Sequence, residues 1–201
     1  NKHPLLLTTG VPGTHDIQLM INLFRKVKKN TFRSINVPKF DKSIDDRCKK
    51  NSWFKLKKKP DILILEGWCV GAKPENSKSL KRPINVLEKN ADNKKIWRSY
   101  VNNQLKSKYS KLFDQLDSLL YLKAKNFKLL KRWRLKQEKK LKMKSGTKKN
   151  SKIMNEKEVE TFMMTYQRIT QNMFKYTPKY SSAVIDLNEK HQIKKVRFKH
   201  V

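Results

Sequence analysis

Apolar residues recur along this chain in two rhythms. Ile17, Met20, Ile21, Phe24 and Val27 fall on one stripe of a helix. Thr14 or Asp16 is placed to cap its start. A short extended piece is expected at 34–40, followed by a polar stretch, 41–60, anchored by Trp53 and Phe54. "PDILILEGW", Pro60 to Trp68, carries aliphatic residues without alternation, the pattern of a strand covered on both faces in a parallel sheet. After a polar excursion, 73–94, the residues Ile96, Tyr100, Leu105, Leu112, Phe113 and Leu116 predict helix. "LDSLLYLKA", 116–124, ends in a second short strand.

A strongly basic helix, "FKLLKRWRLKQEKKL", is expected at 127–141, and a flexible loop at 144–152. Val159, Phe162, Met163, Tyr166, Ile169 and Met173 then define an amphipathic helix over 155–174, with Asn155 as its cap and Glu156 and Glu158 in its first turn. "SSAVIDLNEKHQIKKVRF" reads as strand, turn at Asn188-Glu189, strand. Strands alternating with helices predict a single α/β domain over 1–201 with a mainly parallel sheet and flanking helices. Ligands of such sheets bind at the carboxyl ends of the strands.

Composition narrows the class. Lysine and arginine number 49 against 17 acidic residues, a net charge of +32. Such a field attracts polyphosphate. Lysine far outweighs arginine, however, and is spread over every segment, a pattern of A- and T-rich coding more than of a dedicated nucleic-acid surface. Zinc-finger, RNP-type and basic-heptad patterns are absent. No run of about 18 apolar residues predicts a membrane span, and the start lacks the basic-then-apolar pattern of a signal peptide. Cys48 and Cys69 form no metal spacing or disulfide framework, which points to a reducing cytoplasm.

Candidate chemistry collects around phosphate. "TTGVPGTHD" sets a Gly/Pro turn before a helix start, where backbone N–H groups and the positive helix end suit an anion. Glu66 closes a buried-strand pattern, as a magnesium or water ligand of a nucleotide-binding protein does. Arg132 and Arg134 stand on the basic helix, able to neutralise charge on a transferring phosphoryl group. Each feature also has a plain structural reading: a turn, a solvated strand end, a wet helix face.

In this order, "GVPGTHD", "VPKFDKS" with Asp46-Arg47, "DILILEGW", "WRLKQE" and "MNEKEVETFMMTYQRIT" resemble the glycerate-kinase-type P-loop kinases, relatives of uridine kinase, pantothenate kinase and phosphoribulokinase. The resemblance runs from about Leu7 to Phe198. It implies transfer of phosphate from ATP, with Mg2+, to a hydroxyl of D-glycerate or a similar small hydroxy acid. By it, Thr14, His15, Asp16, Lys39, Asp41, Lys42 and Arg47 line the acceptor cleft, with Asp41 among the catalytic groups. Glu66 sits beside magnesium and phosphates, directly or through water. Arg132 and Arg134 belong to a lid, 127–152, that closes on ATP.

The sequence departs from the family's pattern: Thr9 precedes Gly10 where the family usually carries an arginine, and the phosphate loop is not found. It has five glycines and no G-x-x-x-x-G-K-[ST] motif. In the family the phosphate loop, and a strand end carrying the general-base aspartate, precede "GVPGTHD". The expectation is a kinase-like chain without its first strands and phosphate loop, part of a longer protein or reliant on a partner chain. The alternative is a basic nucleic-acid-binding or non-catalytic protein on the same fold. Without the phosphate cradle and the base, these 201 residues alone should show no turnover of ATP with glycerate and should aggregate. A coupled ADP-release assay on the purified monomer checks this, and turnover would refute it.

Overall fold

The computed structural model describes residues 3–7, 9–30, 32–41, 46–145 and 153–199. Helix α1 (Ile17–Lys29) buries Ile17, Ile21, Phe24 and Val27, the expected stripe. Its cap is Asp16, whose carboxylate accepts the Leu19 N–H at 3.1 Å. It ends at Asn30, whose positive φ of 51° closes a left-handed turn. The expected extended piece is β1 (Ile35–Val37), followed by the short β2 (Phe40–Asp41) and β3 (Asp46–Arg47), then β4 (Phe54–Leu56). β1 pairs antiparallel with β4, and β2 with β3. Trp53 anchors the stretch by donating from Nε1 to the Cys48 carbonyl at 2.8 Å, whereas Phe54 is exposed.

Helices α2 (Val86–Ala91), α3 (Ile96–Gln104) and α4 (Ser110–Phe113) follow, the last two joined by a π-helical turn over Leu105–Tyr109. Strand β5 (Leu120–Lys123) leads into α5 (Phe127–Ser145). Helix α6 (Glu156–Tyr176) begins with the capping box formed by Asn155 and Glu158. β6 (Ala183–Leu187) and β7 (Ile193–Phe198) make the final hairpin, with an irregularity at Asp186/Leu187.

β5, β6 and β7 form one sheet in that order, β5 parallel and β7 antiparallel to β6. The mixed α/β class is as expected, but the sheet is less parallel than the pattern predicts. Among the described residues β5–β6 is the one parallel pair. The segment 60–66 runs on without joining a strand. Ile62 and Ile64 are 77% and 82% exposed, and Leu120 and Leu122 of β5 are more than half exposed as well. These side chains face an open trough of about 1110 Å3 between 60–67 and β5, floored by Phe24 and Val27. The composition of 60–66 is that of a buried strand. Burial needs a neighbouring strand on each edge and a layer on each face, and no described strand supplies them.

The core lies instead between α1, the helices from 96 to 113, and α6. Trp97, Val101, Leu105, Leu112, Ile169 and Met173 pack there. Beneath α6 the polar excursion, though largely exposed, buries Leu80, Glu88 and Asp92. Glu88 is fully buried and receives Arg168 in a bidentate pair, Nε to Oε1 at 2.7 Å and Nη2 to Oε2 at 2.6 Å. Burial would lower the Arg168 pKa, but the hydrogen bonds and charge of Glu88 and Glu75 raise it above its ordinary value. Arg98 pairs with Asp92 at 2.8 Å and donates to the Leu80 carbonyl, also at 2.8 Å. The residues 73–98 are thereby fastened to α6. Removing one partner leaves a buried charge unpaired. Glu88→Gln should therefore lower stability by about 3 kcal/mol. Lys28→Ala, which breaks the exposed pair with Asp117 at 2.9 Å, should cost less than about 1 kcal/mol. Urea unfolding of the two variants measures the difference.

Candidate active site

The turn before α1 is closed by its own side chains and by helices from far along the chain. Thr14 Oγ1 donates to the Val11 carbonyl and accepts the Gly10 N–H, both at 2.8 Å. Thr14 N–H also bonds the Val11 carbonyl at 3.2 Å. Gly13 has a φ of 102°, open to glycine and strained for other residues. Its N–H donates to Tyr109 Oη at 3.1 Å, and its carbonyl accepts from Tyr100 Oη at 3.3 Å. The Gly10, Gly13 and Thr14 N–H groups are thus occupied, and the Asp16 carboxylate already caps the helix. Three of the backbone donors that the sequence suggests for an anion are thus already taken, and the turn also presents side chains.

Those side chains are His15, Asp16 and Arg47. His15 Nδ1 lies 2.7 Å from Tyr109 Oη, with the rings edge to face. Burial lowers the His15 pKa, although one edge of the ring remains exposed. Arg47 of β3 donates through Nη1 to Asp16 Oδ2 at 3.1 Å, which brings the β2–β3 hairpin onto the turn. Asp41 pairs across that hairpin with Asp46, and the Lys39 carbonyl accepts the Cys48 N–H at 2.8 Å. Lys42 lies outside the described residues.

Glu66 is exposed at the end of the extended segment and lines the trough. Magnesium asks for one or two carboxylates and leaves its other positions to water and phosphate oxygens. Glu66 fits one such position. The described residues hold no cluster of three metal-binding side chains.

Two residues on, Trp68 donates from Nε1 to Thr170 Oγ1 at 2.8 Å and stacks on Tyr166, ring centroids 5.0 Å apart. Tyr166 in turn meets Phe162 and the Gly10 turn. Arg134 lies over the Phe162 ring at 5.0 Å, paired with Glu138 at 2.6 Å. Burial raises the Tyr166 pKa, and the Arg134 charge offsets part of that. Arg132, two residues away on the same helix, instead reaches Glu189 in the β6–β7 turn at 3.0 Å. Of the two arginines expected in the lid, the fold brings Arg134 toward the Gly10 turn through Tyr166, and Arg132 elsewhere.

Tyr109 and Tyr166 escape a reading of the sequence. Both look like ordinary members of apolar helical stripes. Their hydroxyls reach the Gly10–Asp16 turn only because two helices distant in sequence pack against it, and no local pattern encodes that.

The architecture is that of a kinase-like α/β protein. No family model matches the chain. In sequence it is 32% identical over 171 residues to an uncharacterized kinase of Schizosaccharomyces pombe, covering 82% of this chain and 58% of the relative. It is 26% identical over 140 residues to the chloroplastic D-glycerate 3-kinase of Arabidopsis thaliana, covering 67% of this chain and 28% of that enzyme. The structure superposes on D-glycerate 3-kinase from Cryptococcus neoformans var. grubii with a TM-score of 0.78 at 24% identity, covering 98% of this chain and 71% of that one. The relatives in sequence and fold are therefore D-glycerate 3-kinase and related kinases, and the fold is the glycerate-kinase type of P-loop kinase fold. The chain spans little more than half of the Schizosaccharomyces relative and about a quarter of the Arabidopsis enzyme.

The close approach at Gly10 is a direct test of this geometry. A Cβ there would collide with the Tyr166 hydroxyl. Gly10→Ala should cost about 1–3 kcal/mol by overpacking. Adding Tyr166→Phe leaves Cζ at 3.3 Å as the nearest atom and should recover part of the loss. A double-mutant cycle in urea should give a coupling of about 0.5–3 kcal/mol. Strict additivity would mean that the turn does not pack on α6.

Proposed function

We propose that this chain carries the acceptor site and lid of an ATP-dependent small-molecule kinase that phosphorylates a hydroxyl of D-glycerate or a similar hydroxy acid, acting within a longer protein. The observation that supports this most is the pairing of Arg47 with Asp16, 31 residues earlier and next to His15, at one turn of a kinase fold. Arg47 is oriented by Asp16 and keeps further guanidinium donors for a carboxylate, which it grips in a planar fork. His15 meets another oxygen of the acceptor. Thr14 holds the turn, and Lys39 and Asp41 edge the cleft. Glu66 takes Mg2+, which draws charge from the phosphate oxygens when bound. Arg134, steadied by Glu138, supplies positive charge above the phosphates, and Arg132 ties the lid helix to the final hairpin. The phosphate cradle and the base that activates the acceptor hydroxyl come from polypeptide other than these residues.

The net charge of +32 favours a second reading, a polyanion-binding protein on a kinase fold. Steady-state kinetics on the natural full-length protein with Mg-ATP and D-glycerate decides between them. Arg47→Ala should raise KM for the hydroxy acid about tenfold to a hundredfold, the worth of one charged hydrogen bond at ~1.5–3 kcal/mol, and leave KM for ATP unchanged. No turnover with any small hydroxy acid, together with binding to nucleic acid that falls steeply with salt, would replace the kinase reading with the second one.

A further inference from the structure

We propose that Tyr109 is a positioning residue for His15, holding its ring as a neutral imidazole that offers Nε2–H to an oxygen of the acceptor molecule. What the donor meets rests on the kinase reading above. The tautomer follows from the packing alone.

Tyr109 Oη stands between two partners, the Gly13 N–H at 3.1 Å and His15 Nδ1 at 2.7 Å. A backbone N–H can only donate, so toward Gly13 the hydroxyl accepts. The hydroxyl then has one proton to place and one acceptor beside it, Nδ1. Were Nδ1 protonated, both neighbours would donate to Oη, and the Tyr109 proton would be left without a partner. Tyr109 is 4% exposed, so water is a poor substitute. The arrangement that satisfies every group has Gly13 donating to Tyr109, Tyr109 donating to Nδ1, and the ring proton on Nε2.

The backbone is shaped to hold this relay. Tyr109 ends the π-helical turn between α3 and α4, and such a turn shifts a side chain's direction within an otherwise regular helix. Phe113 braces the Tyr109 ring edge to face at 5.9 Å. Burial lowers the His15 pKa and pushes Tyr109 up to about 12, so both are neutral at physiological pH. The titratable and charged groups that face this turn and Tyr109 from the elements packed on them include Asp16, Arg47, Tyr100, Tyr166 and Cys69. Among the described residues no hydrogen bond occupies Nε2. Because Nε2 carries the proton, His15 binds the acceptor and does not take the proton from its hydroxyl.

The test reads the tautomer directly. The natural full-length protein is labelled with 15N-histidine, and its two-bond 15N–1H spectrum is recorded at about pH 7.5 without ligand. His15 signals are identified by their loss in His15→Gln. The expected pattern is a single Nε2–H tautomer with Nδ1 at the shift of a hydrogen-bonded acceptor. In Tyr109→Phe the His15 tautomers should mix, the titration midpoint should move up, and KM for the hydroxy acid should rise while KM for ATP stays unchanged. A His15 carrying its proton on Nδ1, or charged at this pH, would overturn the proposal from the unsubstituted protein alone, whether or not the variant folds. An identical His15 spectrum in folded Tyr109→Phe would overturn it too. The expected tautomer in a protein inactive toward hydroxy acids would uphold the role of Tyr109 and remove only the acceptor assignment.

Discussion

The Arg168–Glu88 pair under α6 is the contact on which the rest of the structure depends. Glu88 is fully buried and Arg168 nearly so, and neither is tolerable there alone. Together they are satisfied, with Arg168 also donating to the Arg82 and Ser79 carbonyls at 2.8 and 3.2 Å. Asn85 adds bonds to the Met164 carbonyl and Gln167. An otherwise polar connection is thereby held against the longest helix. That helix is then fixed in rotation, with Val159, Met163, Ile169 and Met173 in the core and Tyr166 aimed at the Gly10 turn.

The turn is consequently held from two sides. Tyr166 closes on Gly10 from α6, while Tyr109 and Tyr100 grip Gly13 from the helical run 96–113. Both glycines are needed because an added Cβ would collide with the Tyr166 hydroxyl at Gly10 and with the Tyr100 ring at Gly13. The Gly10 and Gly13 N–H groups are taken up in this clamping. The turn presents His15 beside Arg47, whose pairing with Asp16 carries β3 into place. A turn that resembles an anion cradle in sequence thus works as a rigid mount for side chains.

On the far side of α1 the constraint is different. Phe24 and Val27 are buried, but Ile62, Ile64, Leu120 and Leu122 face the open trough. Their exposure runs against the hydrophobic effect, at roughly 25 cal/mol for each Å2 of apolar surface left in water.

The sequence by itself determined α1 and α6 and their caps, since periodicity, Asp16, Asn155 and Glu158 act over a few residues, whereas α2 lies in a stretch that reads only as polar. It also determined the final hairpin and the mixed α/β class. The segment 60–66 was legible as apolar and extended, but a strand exists only when another backbone lies beside it. Asp16, His15 and Arg47 were legible as chemical types on one string of motifs. Their meeting, the choice of Arg134 over Arg132, and the roles of Tyr109 and Tyr166 were decided by tertiary structure. The contact between Tyr109 and His15 joins residues 94 positions apart, and that between Arg168 and Glu88 joins residues 80 apart. Local patterns report which face of a helix is buried; only the packed fold reports which distant hydroxyl or carboxylate waits there.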